Sequence, residues 1–193
     1  MPNSSTTGGN LLPASTPAPL EGDALDDFFQ TWIVALTGLD PTLIRPRWTP
    51  VPADIPGFGV NWAAFGITAF ESETFAAELH LGSNDGYNET RRHEEMNCLI
   101  SFYGPDSGSY AALFRDGLQV AQNREYLSLN GMGLVSSDKI IPMPELVKER
   151  WLKRFDLNFV IRRIIVRDYN IVTILSVPVS INNEDYIEQI NVS

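Results

Sequence analysis

One cysteine, Cys98, stands in 193 residues, which excludes an internal disulfide framework and any cysteine-rich zinc module. Histidine is nearly as scarce, with only His80 and His93. Basic charge is short as well: 14 Lys and Arg face 24 Asp and Glu, for a formal charge of −10. That balance argues against gripping nucleic acid, because phosphate binding needs a basic footprint. No apolar run approaches the roughly 18 residues that suggest a membrane-spanning helix. The opening residues lack a charged segment followed by an apolar stretch, so no secretory signal is expected. What is present is apolar material, 44% of the chain with 10% aromatic, enough for a packed core and too much for global disorder. At about 100–200 residues per domain, the length fits one domain with a floppy arm. The expectation is a soluble, intracellular, acidic globular protein.

The charge is unevenly placed. Residues 1–100 hold four basic side chains (Arg45, Arg47, Arg91, Arg92) against thirteen acidic ones, while residues 101–193 hold ten against eleven. Seven of those ten lie between Lys148 and Arg167. An acidic half with one basic stripe suits partners or copies that meet in a fixed direction; an uneven solvated surface is the plainer alternative.

Along the chain, residues 1–20 are rich in Ser, Thr, Gly, Asn and Pro and read as a flexible N-terminal arm, either frayed or docked on a neighbour. A helix follows. Asp23 suits its N-cap, Gly38 its C-cap, and Leu25, Phe28, Phe29, Trp32, Ile33 and Leu36 form one apolar stripe. Five prolines between residues 39 and 59 make an extended connector, with Trp48 as its anchor. Two strand-like runs between Val60 and Leu81, separated by Glu71, Ser72 and Glu73, read as a hairpin, and Asn84-Asp85-Gly86 as a turn.

From Arg91 to Tyr103 the pattern alternates: Glu94, Met96, Cys98, Ile100 and Phe102 share one face of a half-buried strand. Gly104-Pro105 ends it. Asp106 or Ser107 then caps a second helix, packing through Tyr110, Leu113, Phe114, Gly117, Val120 and Ala121. Tyr126-Leu127 and Met132–Val135 read as short strands. Leu146 to Val166 reads as one long bent strand, with Phe155, Leu157, Phe159 and Ile161 opposing Asp156, Asn158 and Arg162. The last apolar β-branched run is Ile171–Val179. This order defines an α+β fold: a largely antiparallel or mixed β-sheet with two α-helices on one face. A single domain is expected over 21–182, with 183–193 a polar tail.

Catalytic constellations are lacking. His93-Glu94-Glu95 opens like a helical zinc motif, but position 97 is Asn97 and the local period is a strand's. His80, His93 and Cys98 read as ordinary structural residues rather than a metal site. The adjacent acids Asp26-Asp27, Glu94-Glu95 and Glu184-Asp185 point apart on regular elements and form no dyad. No G-x-S-x-G elbow is present, and neither Gly57-Phe58-Gly59 nor Gly131-Met132-Gly133 makes a phosphate loop. No catalytic, cofactor or metal residue is therefore assigned, and no cofactor is expected. The basic stripe could stack and bind single strands through Trp151, Phe155 and Phe159. Those aromatics nevertheless fall at core positions, and salt bridges to an acidic neighbour fit better.

One resemblance is specific. The strings LIRPRW (43–48), FGVNWAAFGI (58–67), SFYGPDSGSYAALFRDGLQVAQNREYL (101–127), GMGLV (131–135) and PELVKERWLKRFDLNFVIRR (144–163) resemble the neck or tail terminator family of tailed bacteriophages. The opening SSTTGGNLLP (4–13) fits it too. The resemblance implies a virion protein without enzymatic activity, assembled in the host bacterial cytoplasm and found at the tail–neck junction. It implies a ring, usually a hexamer, that caps the head-proximal end of the tail tube. Implied partners are further copies of itself, the tail tube protein, a neck or head-completion protein and, in contractile tails, the sheath. DNA would pass without specific binding, and no membrane is involved. On that footing Glu71 and Glu73 are candidates for lumen- or tube-facing positions. Arg150, Arg154, Arg162, Arg163 and Arg167 are candidates for salt-bridged subunit contacts. Another head–tail connector ring is the near alternative; a small enzyme or nucleic-acid-binding factor is the distant one.

Overall fold

Six apolar side chains at helical spacing need a surface to cover, and the computed structural model supplies it. It describes residues 9–14, 19–51, 54–81, 87–171, 177–183 and 186–192. Helix α1 (Asp23–Thr37) buries Leu25, Phe28, Phe29, Trp32, Ile33 and Leu36. Its N-cap is Gly22 rather than Asp23, which instead begins the helix, and no side chain caps it. Asp23 and Asp26 still lie in the first turn, where the helix dipole favours negative charge. Burial, then the neighbouring Asp23 and Asp27, nevertheless raise the Asp26 carboxyl above the usual carboxylate range. At the other end Gly38 takes the left-handed conformation (φ 69°) and donates its N–H to Val34 O at 2.8 Å, closing the helix as expected.

A 3₁₀ turn (Pro41–Leu43) leads into β1 (Ile44–Pro46). Then come β2 (Trp62–Ser72), β3 (Ala77–Leu81), β4 (Tyr87–Tyr103), α2 (Ser107–Gln119) and α3 (Ala121–Ser128). The rest is β5 (Met132–Ser137), β6 (Ile141–Pro142), β7 (Glu145–Val147), β8 (Arg150–Leu152), β9 (Arg154–Asn170), β10 (Val177–Asn183) and β11 (Tyr186–Val192). The main sheet runs β1-β2-β4-β9-β5, with β3 also on β4 and β6 also on β9. Its edge pair β1–β2 is parallel; β2–β4, β3–β4, β5–β9 and β6–β9 are antiparallel. The fold is α+β with a mixed, largely antiparallel sheet.

The chain forms two compact units. The larger comprises Pro19–Ala76 and Arg92–Ile165. Its core joins α1, α2 and α3 to one face of the sheet through Trp32, Phe114, Leu118, Leu127, Met96, Ile100, Phe102, Leu157, Phe159 and Ile161. Burying each such large apolar side chain contributes roughly 1.5–3 kcal/mol. Strand alternation sends Trp62, Ala64 and Tyr103 to the other face, where they pack with Leu152 of β8. There Trp62 and Tyr103 stack at 4.1 Å between centroids. The smaller unit comprises Met1–Ala18, Ala77–Arg91 and Val166–Ser193. In it β3 pairs with Tyr87–Arg91, β10 pairs antiparallel with β11, and Ala14 N–H donates to Asp168 O.

Several sequence expectations change. There are three helices among the described residues, because Tyr126 and Leu127 lie in α3 rather than in a strand. Leu127 is fully buried and Tyr126 stacks on Phe28 at 4.9 Å, so tertiary packing secures this short helix. On α2 the buried set is Ser107, Ala111, Phe114 and Leu118, and Leu113 is exposed. The runs β2 and β3 do not form a hairpin: both pair with β4, β2 with Glu94–Tyr103 and β3 with Tyr87–Arg91. The long run from Leu146 divides into β7, β8 and β9, and β7 and β8 form their own hairpin. Trp48 is 71% exposed and anchors nothing in the core. Asn84-Asp85-Gly86 and Glu184-Asp185 lie outside the described residues.

Candidate functional site

The basic stripe divides into arginines used inside the chain and arginines facing outward. Arg163 follows Phe155, Leu157, Phe159 and Ile161 in strand phase and is only 5% exposed. Its Nε donates to Glu94 Oε2 at 2.7 Å, its Nη1 to Leu20 O at 2.6 Å, and its guanidinium lies 5.7 Å from the Phe70 ring centre. Arg154 is likewise held, donating Nε and Nη2 to the two Asp156 carboxylate oxygens at 2.6 and 2.7 Å, and Nη1 to Glu145. The Asp156 hydrogen bonds hold its charge beyond the ordinary arginine range. Arg162, one residue on, points to the opposite face, pairs with Glu95 and keeps 56% of its side chain exposed. Arg150 is exposed and lies 4.5 Å over the Phe58 ring. Arg167 is half-buried, and its carbonyl accepts from Thr90 Oγ1.

The two candidate acids sit on and just beyond the end of β2. Glu71 accepts from Asn97 Nδ2 at 2.8 Å. Glu73 accepts from the His93 backbone N–H at 3.1 Å, with the His93 ring 3.4 Å away. That backbone hydrogen bond, chiefly, lowers the Glu73 carboxyl below its usual value. Both side chains are exposed, as is Phe75 at 86%. The adjacent acids Glu94 and Glu95 do point apart, one to Arg163 and the other to Arg162. Cys98 is buried, and burial pushes its thiol up to about 12. His80 bonds Asn88 and His93 meets Glu73, so the two histidines are not brought together with Cys98. Among the described residues no group of three His, Cys, Asp or Glu could hold a metal.

A surface the sequence did not flag lies beside β1. A groove of about 600 Å³ is lined by Arg45, Arg47, Trp48, Val51, Ile55 and Trp62, among others. Val51 and Ile55 are 84% and 71% exposed. Arg45 donates to the carbonyls of Thr42 and Asp54, and Arg47 Nη2 donates to the buried Ser101 Oγ at 2.5 Å. Neither arginine meets a carboxylate among the described residues. The proline density that marks this stretch as extended gave no hint that its apolar side chains face water.

The α+β scaffold thus presents exposed aromatics, outward arginines and accessible acids on its surface. Residues 23–188 match the family of phage neck terminator proteins, and the chain belongs to that family. It is a structural protein of a bacteriophage, a virion component of the tail–neck region. No curated protein matches its sequence.

Proposed function

We propose that this chain assembles into a closed ring of six copies on the head-proximal end of the phage tail tube. There it ends tube growth and gives the neck a surface to join. Its partners in this reading are its own copies, the tail tube protein, a neck or head-completion protein and, in a contractile tail, the last sheath layer. The observation that carries the reading is the family match over residues 23–188. The charge of −10 supports it further, since a ring through which DNA passes should repel phosphate rather than hold it. Within the basic stripe, Arg150 and Arg162 have exposed side chains to offer a neighbour, Arg162 while also pairing with Glu95; the less exposed Arg154 and Arg163 are engaged in their own chain.

Electron microscopy of the upper end of isolated tails tests this directly. Six subunits of this chain between tube and neck are expected, and phage lacking the gene should make tails of uncontrolled length or tails that fail to join heads. A twelve-subunit ring seated on the portal, or absence of the chain from finished tails, would overturn the reading.

A further inference from the structure

One contact between copies can be specified from charge and shape; it rests on the ring reading above. The groove beside β1 is a built feature. Trp48 holds a left-handed backbone (φ 59°), strained for a residue with a side chain, and its indole lies across β2 at Gly66. A Cβ at Gly66 would come within 2.6 Å of that ring, so glycine is what allows the ring to lie there. The groove is apolar at Trp48, Val51 and Ile55, yet carries two arginines that no carboxylate neutralises among the described residues. Arg47 Nε is buried without an acceptor. In a chain with only four basic residues among its first hundred, two of them at one apolar groove suit an occupant that is both apolar and acidic.

Among the described residues, two strongly exposed aromatics stand besides Trp48, namely Phe75 (86%) and Trp151 (70%). Trp151 stands among Lys148, Arg150 and Lys153, which the groove would repel. Phe75 ends the segment FESETF (70–75), which has two acids and no base. Glu71 and Glu73 there are exposed; Glu71 accepts from an amide and Glu73 from a backbone N–H beside a histidine ring, and among the described residues Arg162 acts on Glu73 only as a nearby charge, without a close ion pair. We propose that Phe75 of one copy inserts into the Trp48–Val51–Ile55 groove of the next, with Glu71 and Glu73 facing Arg45 and Arg47. Knob and groove are different patches of the same compact unit, so the contact is heterologous: every copy gives one and receives one, as a closed ring requires. This assigns Glu71 and Glu73 to the subunit contact rather than to the lumen.

Two experiments test it on the full-length protein. In the first, Arg45→Glu and Glu73→Arg are made singly and together, and self-association is measured by sedimentation. Each single change is expected to weaken association about tenfold, and the double change to recover most of that loss, since opposite charges meet again. Additive losses in the double variant would overturn the contact. In the second, Val51→Cys is combined with Thr74→Cys, an exposed neighbour that leaves Phe75 in place, and the pair is oxidised in the assembled ring. Cys98 is buried and the only native cysteine, so it does not compete. A ladder of disulfide-linked multimers is expected from the double variant and none from either single variant. A ring seen by microscopy in which the double variant stays unlinked refutes the contact while leaving the ring standing. Absence of any ring of the unaltered protein refutes both.

Discussion

A guanidinium taken out of water is destabilising unless its charge and its donors are met. Arg163 is such a case, 5% exposed, with Glu94 on one side and the Leu20 carbonyl on the other. Arg163 thereby ties both β4, through Glu94, and the segment just before α1, through Leu20, to the middle of β9. Replacing Arg163 with Met strands a carboxylate whose side chain is 13% exposed, and the expected loss is about 3–5 kcal/mol of unfolding free energy by urea titration. Converting Glu94 to Leu in the same variant should recover more than half of it. A double variant as unstable as the sum of the two singles would mean the residues do not act as a pair. The sequence held a signal for this residue that a survey of charge passes over. Arg163 sits two residues after Ile161, in phase with the buried face of the strand, whereas Arg162 is out of phase. Alternation, applied to the charged residues as well as the apolar ones, separates the internal arginine from the external one.

At the scale of elements, what the sequence reveals is what repeats. α1 and the C-terminal half of β4 carry apolar stripes of one period, and Met96, Cys98, Ile100 and Phe102, which the pattern names, are buried. The hairpin β7–β8 lacks such a stripe and is hidden inside an alternating run. Its turn is Lys148-Glu149, with φ of 47° and 61° at the two central positions. Paired positive φ values are what a two-residue type I′ turn demands, and Asn-Gly is the composition that normally announces one. Lysine and glutamate adopt it under strain, so nothing in the string KE marks a turn. Changing Lys148-Glu149 to Asn-Gly should therefore stabilise the protein by about 1 kcal/mol, read as a rise in urea midpoint at unchanged slope. A fall would show that the two side chains make contacts worth more than the strain they hold. The same reasoning explains α3, which is short and carries one fully buried residue, Leu127, leaving no period to read. The groove at Trp48 escaped for a related reason: a proline-rich connector has no period, so exposure could not be inferred from phase.

For the whole molecule, the charge of −10 and the proposed knob-and-groove contact act in opposite directions on assembly. Copies carrying like net charge repel over tens of ångströms, while Glu71 and Glu73 would meet Arg45 and Arg47 at contact distance. Salt separates the two, because the screening length falls from about 30 Å at 0.01 M to about 10 Å at 0.1 M and about 3 Å at 1 M. Raising salt from 0.01 to 0.1 M removes most of the long-range repulsion but spares pairs a few ångströms apart, so association should strengthen. Raising it further screens the local pairs as well, leaving Phe75 in its apolar groove to hold the ring with less help. Self-association measured by sedimentation across this range should accordingly pass through a maximum near about 0.1 M salt. The Arg45→Glu variant, which turns a local attraction into a repulsion, should lose the maximum and strengthen steadily with salt. A wild-type curve that rises without a maximum would leave the apolar contact in place and remove the charge complementarity from the account of how one copy recognises the next.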